Sequence, residues 1–243
     1  MTGITRREAI KIASLAVATF SSIPLLAKQK DKIMLESQKL NSEEIVPKPL
    51  PFDPKKLNGI SEKLIQSHWE NNYIGSVKVL NVVNKKLAEA VSDRDFPSFE
   101  YNGLKREHLM RTGSVVYHEL YFANLGGNGK TGGDIEKMLK VNFSDFNTWE
   151  TEFKKMAQGL GGGSGWVVLG YNYHLKRLEN YWSPDHLHSA PGTVPLLVMD
   201  MYEHSYQMDY GAAAGKYIEA FFKNIHWEVV EKRFESAKKI KWM

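Results

Sequence analysis

Pro195-Leu196-Leu197-Val198-Met199-Asp200-Met201-Tyr202-Glu203-His204-Ser205-Tyr206 is the stretch on which the reading of this 243-residue chain turns. A short apolar run leads straight into an aspartate, and a histidine follows four positions later. A run of this length and composition reads as a buried strand. A carboxylate at the end of such a strand costs on the order of several kcal/mol unless something neutralises it. A metal ion shared with His204 would do so, because carboxylate oxygen and imidazole nitrogen together suit a transition-metal cation. The same residues also fit a plain strand exit, with Asp200 exposed and His204 on the following turn. Spacing alone leaves both readings open.

Composition narrows the chemistry. With 42% hydrophobic and 25% charged residues the chain is ordinary globular material, long enough for one or two domains. It has no cysteine, which excludes disulfides, thiolate metal sites, iron–sulfur clusters, cysteine nucleophiles and a lipid-modified cysteine anchor. Any metal must be held by histidine and carboxylate. Of the formal net charge of +4, about half comes from Arg6, Arg7 and Lys11 against Glu8 near the start. No basic block interleaved with aromatics follows, so nucleic acid is not implied. A mildly positive surface suits a small anionic substrate.

Thr5-Arg6-Arg7-Glu8-Ala9-Ile10-Lys11 precedes an apolar stretch from Ile12 to Ala27. A charged start, a short apolar centre and a small final residue describe an export signal over residues 1–27. The Arg6-Arg7 pair resembles the twin-arginine type, which predicts a periplasmic or otherwise extracytoplasmic protein. Ser14, Ser21, Ser22 and Pro24 interrupt the stretch, which argues against a permanent membrane span. An amphipathic N-terminal helix with two chance arginines is the competing reading. Residues 28–58 are polar and contain Pro47, Pro49, Pro51 and Pro54, which predicts a tether ending in an extended arm.

Ser61 is placed to cap a long helix reaching about Ala90, with Leu64 and His68 on one face. Val91 to Ser98 breaks it, and a second helix is expected from about Gly103 to Asn124, with Met110, Ser114, His118 and Phe122 in one stripe. A lone histidine on an apolar stripe is usually a core residue. Two neighbouring helices each turning one histidine inward, beside a strand end that needs partners, make an antiparallel hairpin with a shared site the sharper reading. Residues 59–128 form that hairpin and 129–243 an α/β domain, so the class is α+β. Helices are expected over Asp134–Asn142 and Asp145–Gln158, the second capped by Ser144. Val167–Tyr171 and Leu175–Trp182 pair as a hairpin around Asn172-Tyr173-His174, and the opening strand completes a three-stranded antiparallel sheet flanked by helices. Further helices are expected near Gly211–Lys223 and Trp227–Lys239. Gly161-Gly162-Gly163-Ser164-Gly165-Trp166 is glycine-dense, but no Lys-Ser/Thr follows, so it is not a phosphate loop.

These phrases together resemble the iron/manganese superoxide dismutases. Asp200-x-x-Glu203-His204-x-Tyr206 is similar to that family's C-terminal signature, Ser67-His68-Trp69 and Tyr117-His118-Glu119-Leu120-Tyr121-Phe122 to its two ligand helices, Leu50-Pro51-Phe52 to its entry arm, and Gly163-Ser164-Gly165-Trp166 to the entry of its first strand. The resemblance spans roughly residues 49 to 240. It implies one iron or manganese ion per subunit, held by His68, His118, Asp200 and His204, that dismutes two superoxide anions to dioxygen and hydrogen peroxide. It implies a homodimer, or a dimer of dimers, in which Glu203 reaches the partner's histidine. Tyr121 and Trp166 then wall the pocket, and His186, in Pro184-Asp185-His186, falls where many members place a glutamine that bonds metal-bound solvent. An imidazole there is expected to titrate near its ordinary value of about 6.5 and to show in the pH dependence of turnover.

Several positions depart from the family pattern. Ser76 stands where a tyrosine is usual, Asn72 replaces a histidine, Tyr202 a tryptophan and Gln207 a tyrosine, and an arginine is lost within Gly211-Ala212-Ala213-Ala214. These changes predict a wider, wetter channel with an Asn72–Gln207 contact between subunits. They keep open a second reading, a metal- or partner-binding relative with little dismutase activity. A zinc hydrolase is weaker, since four protein ligands leave little room and no separate general base is evident.

Overall fold

A computed structural model describes residues 44–241; the expected export signal and most of the tether lie outside the described residues. The chain enters as an extended arm whose backbone is satisfied by side chains, as it must be where no strand neighbours it. The Asn81 amide accepts from Ile45 N and donates to Ile45 O, both at 2.9 Å. Lys48 N–H donates to Tyr73 Oη at 2.8 Å, and Trp69 Nε1–H donates to Lys48 O at 3.0 Å.

Ser61 caps α1 (Glu62–Ser67), its Oγ accepting from Leu64 N at 3.1 Å. The Asp209 carboxylate in turn accepts from Ser61 N and Ser61 Oγ, each at 2.7 Å. The helix then passes through a π-helical turn, His68–Tyr73, and continues as α2 (Ile74–Ser92). One extra residue in that turn shifts the buried face, so Tyr73 rather than Asn72 follows His68 into the core. The partner helix α3 (Ser98–Ala123) starts five residues before the expected Gly103. Pro97 supplies a fixed φ of −62° at the cap, and Glu100 sits in the first turn, where a carboxylate suits the helix dipole.

Helix α4 (Gly133–Phe143) is followed by α5 (Phe146–Gly159), which is capped not by Ser144 but by Asp145, whose carboxylate accepts from Thr148 N at 2.7 Å. Ser144 turns the chain with φ 74° and is not free to cap. Strands β1 (Trp166–Asn172), β2 (Arg177–Ser183) and β3 (Thr193–Asp200) form one antiparallel sheet in the order β2-β1-β3. The hairpin turn runs to Lys176, at φ 54°, so β2 begins two residues after the expected Leu175. Central β1 is buried throughout. On β3, Pro195 is tolerated because the strand lies at an edge. A short helical turn (Glu203–Ser205) leads to α6 (Gln207–Tyr210), α7 (Ala214–Lys223) and α8 (Trp227–Ala237). One hydrophobic core runs from the hairpin (Leu64, Tyr121) through the sheet (Leu197) to α5, α7 and α8 (Phe153, Phe221, Phe234). Among the described residues no helix is long and apolar enough to cross a membrane.

Candidate metal centre

Four elements converge on one point. His68 opens the π turn, His118 lies near the end of α3, Asp200 is the last residue of β3, and His204 sits in the turn after it. From Asp200 Oδ2, the Nε2 atoms of His68, His204 and His118 lie at 3.1, 3.3 and 3.7 Å. One donor atom from each residue falls within 4.8 Å of all the others. His68, His118 and Asp200 are buried and His204 is partly exposed.

His204 Nε2 meets Asp200 Oδ2 at 3.3 Å as a hydrogen bond, but the other two imidazoles are arranged for a cation rather than for a partner side chain. Among the described residues, Nε2 of both His68 and His118 is buried without a hydrogen-bond partner; the 3.1 Å approach of His68 to the carboxylate is not directed as a hydrogen bond. His118 is oriented by its other nitrogen, with Nδ1–H donating to Ser114 O at 2.7 Å, which leaves Nε2 as the lone pair. Burial pushes His68 down, and burial with the neighbouring His68 pushes His118 down to about 3. Burial opposes ionisation of Asp200, yet His204 and His68 beside it prevail and hold its carboxyl below the ordinary range. The result is two imidazoles kept neutral by burial, His68 and His118, which stand with His204 around a buried carboxylate, a donor set that fits a transition-metal ion.

Around this cluster the structure gathers most of the residues expected there. Tyr121 is buried with its ring 5.2 Å from that of His68, and Trp166 is buried edge-on to His118 at 5.1 Å. Trp166 Nε1–H donates to His186 Nδ1 at 3.0 Å, which makes the other ring nitrogen of neutral His186 the one bearing the proton. Burial lowers the His186 pKa, so the expectation of titration at the ordinary value is corrected downward. Tyr202 stacks between two imidazoles, 4.9 Å from His186 and 5.3 Å from His204. The His186 loop lies against α3 because position 113 is glycine: a Cβ there would meet His186 O at 1.8 Å.

Ser76 is also buried, and its hydroxyl pairs with Ser114 Oγ at 2.8 Å, while Ser114 Oγ lies 3.3 Å from His118 Nδ1. The open, wet surroundings expected for so small a residue are not what the structure places around it. Asn72 is half-buried, and Glu203 and Gln207 are exposed. Sequence reasoning missed Gly113, which carries no chemistry of its own, and Tyr217, whose hydroxyl donates to Asp200 O at 2.9 Å. A second acidic group, Asp134, Glu231 and Glu235, is already engaged by other partners. Glu231 caps α4 through Asp134 N and Ile135 N, and Lys137 and Lys238 pair with the other carboxylates.

A helical hairpin and an α/β unit that share three imidazoles and one carboxylate define a mononuclear metal protein. Residues 131–233 match the family model for iron/manganese superoxide dismutases, C-terminal domain. A superoxide dismutase [Fe] of Cupriavidus metallidurans is 49% identical over 190 residues, covering 78% of this chain and 96% of that protein. One from Aquifex pyrophilus, also [Fe], is 37% identical, covering 76% and 89%. A superoxide dismutase [Mn] of Haloarcula marismortui is 31% identical, covering 78% and 93%. The chain belongs to the iron/manganese superoxide dismutase family.

Proposed function

We propose that this protein is a superoxide dismutase with one iron or manganese ion per subunit, held by His68, His118, Asp200 and His204. The observation that carries the assignment is the convergence of those four donors, with Nε2 of both His68 and His118 buried and unpartnered among the described residues. An iron or manganese ion held there would supply one-electron redox chemistry between its +3 and +2 states, which suits conversion of two superoxide anions and two protons to dioxygen and hydrogen peroxide. The chain's own residues supply the surroundings. Ser114 O orients His118, and Tyr202 and Trp166 hold His186 beside the cluster with its Nε2–H available as a donor. Buried Tyr121, Trp166 and Phe122 wall His68 and His118, and the low local dielectric strengthens the electrostatic contacts among the buried groups.

Assembly and destination belong to the same proposal. Exposed Glu203, next to His204, suits an isologous dimer in which it bonds the partner's histidine, with Asn72 and Gln207 at the same seam. Residues 1–27 act as a twin-arginine export signal and 28–58 as tether and arm, which puts the enzyme outside the cytoplasm. Purified protein with its metal content measured in parallel should remove superoxide in proportion to bound iron or manganese. Full metal loading without turnover would refute the dismutase assignment and leave a metal-binding relative. Sedimentation at micromolar concentration tests the dimer, and a fully loaded monomer would overturn it.

A further inference from the structure

Among the described residues, strand β3 has a partner on one side only, β1. Its other edge is buried, and carbonyls left there without donors would be costly. The carbonyls of alternate residues on that edge are each taken by a side chain. Leu196 O accepts from Arg233 Nη1–H at 2.7 Å, Val198 O from Asn124 Nδ2–H at 2.7 Å, and Asp200 O from the Tyr217 hydroxyl at 2.9 Å and from Ser205 Oγ–H at 3.0 Å. Asn124 and Tyr217 are themselves fully buried.

Each rung also grips the C-terminal end of α3. Arg233 donates to Asn124 Oδ1 at 2.5 Å and to Leu120 O at 3.3 Å. Asn124 is the C-cap residue of α3. The Tyr217 hydroxyl lies 3.2 Å from that of Tyr121, one turn below His118. Helix α3 delivers His118 and β3 delivers Asp200, so the spacing between a ligand of the hairpin and a ligand of the sheet is set where these three side chains bridge the two elements. No carboxylate and no hydrophobic contact does this with the same directionality: amide, guanidinium and phenol each fix both distance and angle.

We propose that Arg233, Asn124 and Tyr217 form a side-chain ladder along the open edge of β3 that positions Asp200 against His118 and so sets how tightly the centre holds its metal. The proposal rests on the metal-site reading above. None of the three touches the donor atoms, so all are positioning residues, acting through backbone carbonyls and the helix cap.

The test compares Tyr217→Phe, Asn124→Leu and Arg233→Lys with the wild type. Iron and manganese affinities are measured by competition against a chelator, the electron paramagnetic resonance spectrum of the iron(III) form is recorded, and thermal melts of the metal-free proteins are run in parallel. Tyr217→Phe keeps the ring and Arg233→Lys keeps the charge, so at least these two retain the fold. The ladder predicts affinity lower by roughly ten- to hundredfold, as for other groups that orient ligands, and a changed iron(III) spectrum, with the largest effect at Tyr217, nearest Asp200. Affinity and spectrum unchanged in Tyr217→Phe and Arg233→Lys, with only melting temperature lowered, would overturn it. A wild type that binds metal tightly but does not turn over superoxide would refute the dismutase assignment and leave the ladder standing.

Discussion

Removing the indole N–H at position 166 should change the pH dependence of turnover through His186. Neutral His186 accepts from Trp166 at 3.0 Å through Nδ1. Protonating that nitrogen breaks the bond and sets two donors face to face in a buried place, leaving the Trp166 N–H unsatisfied. The lost bond and the stranded donor together cost about 1–3 kcal/mol, which adds to burial in favouring the neutral ring. The folded-state pKa lies below the ordinary value, so the limb of the wild-type profile that belongs to His186 should be an acid limb centred below about pH 6.5. In Trp166→Phe that penalty is gone, and the acid limb should move to higher pH. His186→Gln keeps one acceptor and one donor without titrating, so the limb that belongs to His186 should vanish. Superoxide decay followed by pulse radiolysis at matched metal content gives all three profiles. Coincident acid limbs in wild type and Trp166→Phe would refute the reasoning, as would a wild-type limb centred at or above pH 6.5.

Other outcomes follow from the same geometry. Asp200→Asn removes the one anionic donor from the cluster and should lower metal affinity at least as much as loss of an orienting group does, roughly ten- to hundredfold; equilibrium dialysis with unchanged iron and manganese binding would count against Asp200 as a ligand. Metal-free protein should lose stability as pH falls below about 6.5, because unfolding lets His68 and His118 take up protons that burial denies them in the folded state; urea melts between pH 7 and 5 read this, and a pH-independent midpoint would oppose it. Gly113→Ala would ordinarily stabilise a helix by about 1 kcal/mol. Here it should displace the His186 loop and cut turnover roughly ten- to hundredfold at unchanged metal content, and a fully active Gly113→Ala protein would show that the loop position is immaterial.

Most of the site was legible in the sequence because the residues that bind also interrupt a pattern. Asp200 ends an apolar strand, and His68 and His118 sit on otherwise apolar helix faces, so each stands out against its surroundings. Ser61 as a cap and the three antiparallel strands with their hairpin were legible as well. The π turn was not: counting four residues on from His68 leads to Asn72, and only the inserted residue brings Tyr73 inward. Its cause is tertiary, since Tyr73 Oη is held by Lys48 N and donates to Glu119 at 3.0 Å, contacts that span 25 and 46 positions. Ser144 and Asp145 are both good caps, and the backbone conformation at Ser144 decided between them. The ladder on β3 was invisible because its members come from α3, α7 and α8 and are ordinary core and surface types in their own segments.

Ser76 shows how a substitution read as an opening can instead be a closure. The sequence sets a serine where the family resemblance leads one to expect a tyrosine, and a small side chain suggests space. In the structure Ser76 is 6% exposed, and its hydroxyl bridges α2 to α3 through Ser114. The two helices meet at this position through that hydroxyl pair, so a phenol placed there enters buried surroundings. Ser76→Tyr must force a ring into packed surroundings, at about 1–3 kcal/mol, and break the hydroxyl pair, at about 1 kcal/mol. Ser76→Ala loses only the second of these. With about 2–4 °C of melting temperature per kcal/mol for a protein of this size, Ser76→Tyr should melt several degrees below Ser76→Ala, and Ser76→Ala slightly below the wild type. Calorimetry of the three metal-free proteins reads the order directly. A Ser76→Tyr protein as stable as the wild type would mean that room for the phenol exists after all, and that the closed seam between α2 and α3 is not what fills the place of the ring.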